Sequence, residues 1–205
     1  MSEAIIHGFV LAIGLIIALG AQNIFVFNQG ALQPTIIRAL PVILTASICD
    51  TILITMAVLG VSLIVLTFQW LQMIIFGIGF IFLLYMGWSI WNSKLSKDNS
   101  VDKMSVKKQI TFATSVSLLN PHAILDTVAV IGTNAIRYSG HEKIAFAVTC
   151  IIVSWLWFFG LAIVGRIVGR VDTKGKWMNR LNKLSAIIIW IVALYIGKEL
   201  ISIIL

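Results

Sequence analysis

Charged residues make up only 11% of this 205-residue chain, less than half the roughly 25% of a soluble globular domain. So few cannot cover a surface that faces water, and a soluble domain is excluded. Cysteine is nearly absent as well. Cys49 and Cys150 each fall inside an apolar run, which rules out a disulfide framework, and no Cys/His spacing suited to zinc accompanies them. No His-Glu-x-x-His and no Cys-x-x-Cys occurs, so the marks of an intramembrane metalloenzyme or a thiol-disulfide carrier are missing. Acidic residues number eight against 15 Lys and Arg. The basic residues are spread over the gaps between apolar runs, the distribution of loops at a membrane surface rather than of a groove for nucleic-acid phosphates. What the chain has in quantity is hydrocarbon: 60% of it is hydrophobic and its mean hydropathy is +1.02. It reads as a polytopic, all-α membrane protein.

Six stretches approach the 20 apolar residues that cross a bilayer: about Ala4 to Phe27, Leu40 to Phe68, Leu71 to Trp91, Ile110 to Ala135, Ile144 to Val168 and Leu184 to Ile204. The first could pass for a secretory signal because Ala18-Leu19-Gly20-Ala21 offers small residues. The residues ahead of it carry Glu3 and no Lys or Arg, and the run continues through Ile24-Phe25-Val26-Phe27, so it reads as a span. Twelve of the 15 basic residues fall on the side holding loops 1–2, 3–4 and 5–6; Arg137, Lys143 and Lys198 fall on the other. The retention of Lys and Arg in the cytoplasm puts both termini outside and the basic loops 93–109 and 169–183 inside. The rival arrangement has five spans, with Gly20 to Asn23 and Asn28-Gln29 making the first segment re-entrant.

Matching words suggest a duplication. Leu84-Tyr85-Met86-Gly87 echoes Leu194-Tyr195-Ile196-Gly197 at an offset of 110, and Leu59-Gly60 echoes Phe159-Gly160 at 100, as Gly20 does Asn120-Pro121. The change of offset is expected from a longer turn between spans five and six. Three crossings per unit insert the second copy upside down, giving two inverted three-helix repeats, about 4–92 and 110–205, within a single transporter domain. Such folds bind substrate near the midplane, at helices broken in corresponding places, here spans one and four.

Ionisable groups are costly in hydrocarbon unless a wet cavity or a partner receives them. Two carboxylates lie well inside apolar runs, Asp50 in span two and Asp126 in span four. They serve either as helix-to-helix hydrogen-bonding groups or as a cation site or proton carrier. Gln22 and Asn23 follow Gly20, and their amides can donate to a carboxylate and accept from an ammonium. Pro121 obstructs its helix and removes a backbone donor, and Asn120 can supply a replacement. His122 lies four residues before Asp126, on the same helix face, and is either a packing residue or a proton relay. Gly165 and Gly169 have the spacing of close helix contact, and Arg166 and Arg170 place that contact at the cytoplasmic end, which favours a packing role over dimerisation. Trp155 and Trp157 line a cavity or pack.

The words Gly20-Ala21-Gln22-Asn23-Ile24-Phe25-Val26, Asn28-Gln29-Gly30, Cys49-Asp50-Thr51-Ile52-Leu53-Ile54, Asn120-Pro121-His122-Ala123-Ile124-Leu125-Asp126-Thr127 and Trp155-Leu156-Trp157-Phe158-Phe159-Gly160 resemble the lysine/arginine exporter (LysE/ArgO) family of bacterial transporters over essentially the whole chain. Exporters of neutral amino acids in the wider superfamily share the glycine-rich start and an Asn-Pro word but typically lack the Gln-Asn pair and the continuation from His122 to Asp126-Thr127. The resemblance implies a non-enzymatic exporter of L-lysine or L-arginine in the bacterial plasma membrane, with protons as coupling ion and no cofactor or metal. It also implies that Asp50 and Asp126 are the functional carboxylates, with Gln22, Asn23, Asn120, His122 and Thr127 around them. Ala21 departs from the proline frequent in relatives, which bears on how sharply span one is broken. The alternatives are export of neutral amino acids or of another small cationic solute, and a cation channel.

Overall fold

The computed structural model describes residues 1–17, 20–60, 68–92, 104–118, 124, 127–171 and 176–204. Those residues are overwhelmingly helical, with no strand among them. In chain order the helices are α1 (Ser2–Ile16), α2 (Ala21–Leu32), α3 (Ile36–Val58), α4 (Gln69–Trp91), α5 (Val106–Leu118), a π-helical segment Thr127–Gly132 running into the short α6 (Thr133–Ala135), α7 (Gly140–Val171) and α8 (Lys176–Ile204). Four are long and apolar enough to cross a membrane: Ile36–Val58, Met73–Trp91, Gly140–Val171 and Asn182–Ser202; α1 and α2 together make a fifth candidate.

The run from Ala4 to Phe27, expected as a span broken near Gly20, consists of two helices inclined at 78° that together make either a broken span or a re-entrant segment, and the second continues to Leu32. Gly20 stands at the start of that second helix with extended backbone (φ −74°, ψ 168°). Pro34 follows the end of α2, and Thr35 then opens α3, its Oγ1 accepting from the Arg38 backbone N–H at 3.3 Å, a side-chain cap for one of the free amides of a helix start. Inside α3, Pro41 lacks a donor, and Thr45 Oγ1 donates to the Pro41 carbonyl at 2.7 Å. α3 ends at Val58, ten residues before the expected Phe68, and Gly60 follows at φ +77°, a left-handed turn that glycine adopts without steric cost.

The ten-residue change of offset has a different origin from the expected long turn. α7 runs 32 residues against 23 for α3, and α8 runs 29 against 23 for α4. The additional residues are helix, and most of the basic stretch 169–183 lies on helix ends. The basic segment 93–109 is likewise helical from Val106 onward.

The packing is reciprocal. The amino terminus pairs with Glu142, Cys150 Sγ points to the Gly8 carbonyl at 3.5 Å, Trp157 meets Asn23, and Arg166 meets Gln33 and Pro34. The bent pair α1–α2 therefore lies along α7 from one end to the other, in the same direction. Correspondingly, α5 and the π-segment lie along α3: Gln109 Nε2 donates to the Arg38 carbonyl at 3.1 Å, and Gly132 sits against the Ala57 carbonyl. α3 and α7 cross antiparallel, with Asp50 against Ser154 and the start of α3 near Arg166. α4 and α8 also run antiparallel. Gly87 receives the Trp190 ring and Gly197 receives the Phe80 ring, and each pair becomes the other when 110 is added to the α4 member and subtracted from the α8 member. Two apolar cores result. One gathers Phe25, Ile43, Leu83, Met86, Phe158 and Ile189; the other gathers Ala4, Ala12, Ile54, Ile131 and Phe146.

Candidate functional site

Asp50 lies midway along α3, where α3 crosses α7 and passes the start of α2. Its Oδ1 accepts from Gln22 Nε2 at 3.0 Å and its Oδ2 from Ser154 Oγ at 2.8 Å. Both donors are neutral, and no Lys, Arg or His among the described residues forms an ion pair with this carboxylate. Gln22 Nε2 also lies 3.4 Å from the Ala46 carbonyl, which seats the amide between α2 and α3. Three helices thus meet on one carboxylate. Neutral donors hold its orientation and leave it without a cationic partner among the described residues; a carboxylate so placed can accept a charge-assisted hydrogen bond, offset by the cost of desolvating the cation.

The neighbouring side chains extend this polar centre. Thr51 Oγ1 donates to the Ser47 carbonyl at 2.8 Å and accepts from Trp155 Nε1 at 3.0 Å. Ser47 stands one turn before Asp50 on the same face of α3; its hydroxyl is fully buried and has no partner among the described residues. Buried hydroxyls are seldom left unpaired, so Ser47 is a group able to bond a bound guest.

Asn23 joins the helix break to α7. Its Nδ2 donates to the Ile16 carbonyl at 2.9 Å, satisfying an acceptor left open at the end of α1, and its Oδ1 accepts from Trp157 Nε1 at 3.3 Å. Beyond Asn23 and Trp157 lies a cavity of about 450 Å³ between α2, α7 and α8. Toward the end of α2, Gly30 lies on the Ala162 backbone, Gly165 on the Phe27 carbonyl and Gly169 on Ala31. Any side chain at these glycines would enter the opposing backbone. Arg166 closes this seam by donating to the Gln33 and Pro34 carbonyls at 3.2 and 2.8 Å, acceptors exposed where α2 ends.

Of the residues expected at the site, Gln22 and Asp50 are brought into direct contact, and Asn23 sits beside them on α2 with its own partners. Thr127 opens the π-segment, a widened turn of the kind that recurs at functional sites. Asn120, Pro121, His122 and Asp126 lie outside the described residues. Ser154 was not expected. A hydroxyl amid the apolar run Ile144–Val168, which also holds Thr149, was the available signal, but only the crossing of α3 and α7 gives Ser154 its partner. Ser47 was missed for the same reason. Gly165 and Gly169 make a contact within the chain, in keeping with a packing role.

The profile of a family described as LysE type translocator matches residues 13–199. The chain is 53% identical over 199 residues to YisU of Bacillus subtilis (strain 168), which is named as a candidate amino-acid transporter; the match covers 97% of this chain and 90% of that protein. It is 30% identical over 198 residues to the arginine exporter protein ArgO of Salmonella paratyphi A (strain ATCC 9150 / SARB42), covering 94% of this chain and 92% of that one. The ArgO protein of Salmonella typhimurium (strain LT2) matches to the same extent. No solved structure matches this chain.

Proposed function

The chain belongs to the LysE type translocator family, and from that premise we propose that it exports L-arginine or L-lysine across the bacterial plasma membrane in exchange for protons. The observation that carries the reading is Asp50, a carboxylate inside the membrane-spanning part of α3 whose two oxygens are held by the neutral donors Gln22 and Ser154. A dibasic amino acid carries net positive charge, and its ammonium or guanidinium can displace one neutral donor to form a charge-assisted bond. Ser47, Gln22 and Asn23 supply polar contacts nearby. The identity to arginine exporters supports the basic substrate.

Asp126 is the proton carrier in this proposal, with His122 four residues before it in the sequence as relay and with Asn120 and Pro121 as the helix-interrupting word that lets water reach it. Thr127 follows Asp126 at the start of the π-helical segment. Proton and substrate are then handled by different carboxylates, Asp126 beside the expected break in span four and Asp50 within the unbroken helix α3.

The architecture proposed is six crossings in two inverted repeats. It is supported by the bent pair α1–α2 lying along the whole of α7 and by α5 with the π-segment lying along α3. The antiparallel crossings of α3 with α7 and of α4 with α8 support the inversion. The excess of basic residues on one side supports outward termini. Membrane-impermeant thiol labelling, in a background with Cys49 and Cys150 replaced, is expected to reach a cysteine at Ser139 from outside and one at Ser100 only from the cytoplasm. Labelling of both from one side overturns the arrangement.

The transport reading is tested in inside-out vesicles loaded through this protein. Radiolabelled arginine is expected to accumulate when the lumen is acidic relative to the bath, and to accumulate no further than equilibrium when the pH gradient is collapsed. Flux that ignores the gradient indicates a channel instead.

A further inference from the structure

We propose that the cavity between α2, α7 and α8 is a binding site for one acyl chain of an anionic phospholipid. Its walls are Phe27 of α2, Leu156, Gly160 and Val164 of α7, and Leu184 and Ile188 of α8, with Asn23 and Trp157 at its inner side. At about 450 Å³ it has the size of a ligand pocket, but its lining is almost wholly apolar, with Asn23 and Ser185 the polar side chains in it. Leu156, Val164 and Leu184 are 67%, 50% and 55% exposed, so the cavity opens sideways rather than toward the Asp50 carboxylate. α7 and α8 are both membrane-spanning, and the molecule that surrounds such an opening at that depth is a lipid tail.

Charge fixes the class of lipid. Arg180 lies one turn before Leu184 on the groove-facing side of α8 and is exposed, just outside the apolar stretch Asn182–Ser202. At the same end, the Lys183 ammonium stands 5.5 Å from the centre of the Trp91 ring, the pairing of basic and aromatic groups typical of a membrane interface. Ile188 lies eight residues beyond Arg180, about 12 Å along the helix, which matches the roughly 15 Å depth of one hydrocarbon leaflet. A phosphate at Arg180 therefore places its chain in the groove, ending at Trp157. There it abuts the indole that bonds Asn23, the residue that satisfies the broken end of α1. The site is independent of which solute is exported.

Native mass spectrometry of the whole protein, released from bilayers of equal phosphatidylglycerol and phosphatidylcholine, tests this. One phosphatidylglycerol per chain is expected to be retained in preference to phosphatidylcholine. Gly160 has open space where its side chain would be, so Gly160→Leu fills the groove without a backbone clash; it should lower retention about tenfold, the weight of roughly two buried methylenes. Arg180→Gln should cut the preference for phosphatidylglycerol about fivefold, the weight of one basic side chain near an anionic surface. Retention indifferent to headgroup, or unchanged in Gly160→Leu, or a mass of two chains with no lipid, overturns the proposal. A second measurement needs no filled groove. Phosphatidylglycerol brominated at mid-chain should quench a part of the tryptophan emission that saturates at low lipid fraction in the native protein and is missing in Trp157→Phe. Equal quenching of the two also overturns it.

Discussion

Asp50→Asn is expected to abolish concentrative export of arginine while leaving the protein in the membrane. The substitution keeps the shape of the side chain and leaves an amide oxygen to accept from Gln22 or Ser154, so the junction of α2, α3 and α7 retains much of its hydrogen bonding. What disappears is the negative charge. Removing one member of a desolvated charge pair typically costs about 2 kcal/mol or more, which is roughly 30-fold in affinity for a cationic substrate. The loss should be much smaller for a neutral amino acid of similar size, and a direct binding measurement with arginine and with such an analogue checks it. Equal losses for both would make Asp50 a structural group that holds three helices together. Normal export of arginine would remove it from the site.

Asp126→Asn is expected to give the other large effect, of a different kind. If Asp126 carries the proton, the amide variant still binds arginine but no longer couples it to the gradient. Binding affinity should change by less than about threefold, under about 0.7 kcal/mol, while uptake into inside-out vesicles ceases to respond to an imposed pH difference. The two variants thus separate on two axes, affinity and pH response. A Asp126→Asn protein that still accumulates arginine in proportion to the pH gradient would assign proton coupling elsewhere.

The sequence was most legible where a single helix carries the signal. Leu71 to Trp91 is visible from hydrophobicity alone, and α4 spans Gln69–Trp91. The residues around Gly20 likewise announce a discontinuity, because glycine is a poor helix former and the Asn23 amide can bond backbone groups in competition with the helix. The bend itself was not legible, since its angle depends on α2 lying against α7 through Gly30, Gly165 and Gly169. The site divides in the same way. Asp50 stands out because a carboxylate in hydrocarbon is costly, but Ser154 lies 104 residues away and serine in a span is common enough to carry no message alone. Trp155 and Trp157, two residues apart on α7, serve different partners, Thr51 on α3 and Asn23 on α2. Only the arrangement of three helices around α7 distinguishes them.

The reciprocal packing has a consequence for how the protein is made. α1 and α2 find their long partner in α7, and α3 finds part of its own in α5 and the π-segment. When the first 92 residues have entered the membrane, the glycine face of α2 and the Asp50 side of α3 are therefore still facing lipid or one another. The contact between Gly30 and Ala162 waits for 70 further residues to be synthesised. Such long separations in sequence slow the final packing and leave polar groups exposed to hydrocarbon meanwhile, a cost that the hydrogen bonds from Ser154 and Trp157 remove only at the end. The two halves are thus covalently successive but mutually dependent as folding units, each acting as the template on which the other closes.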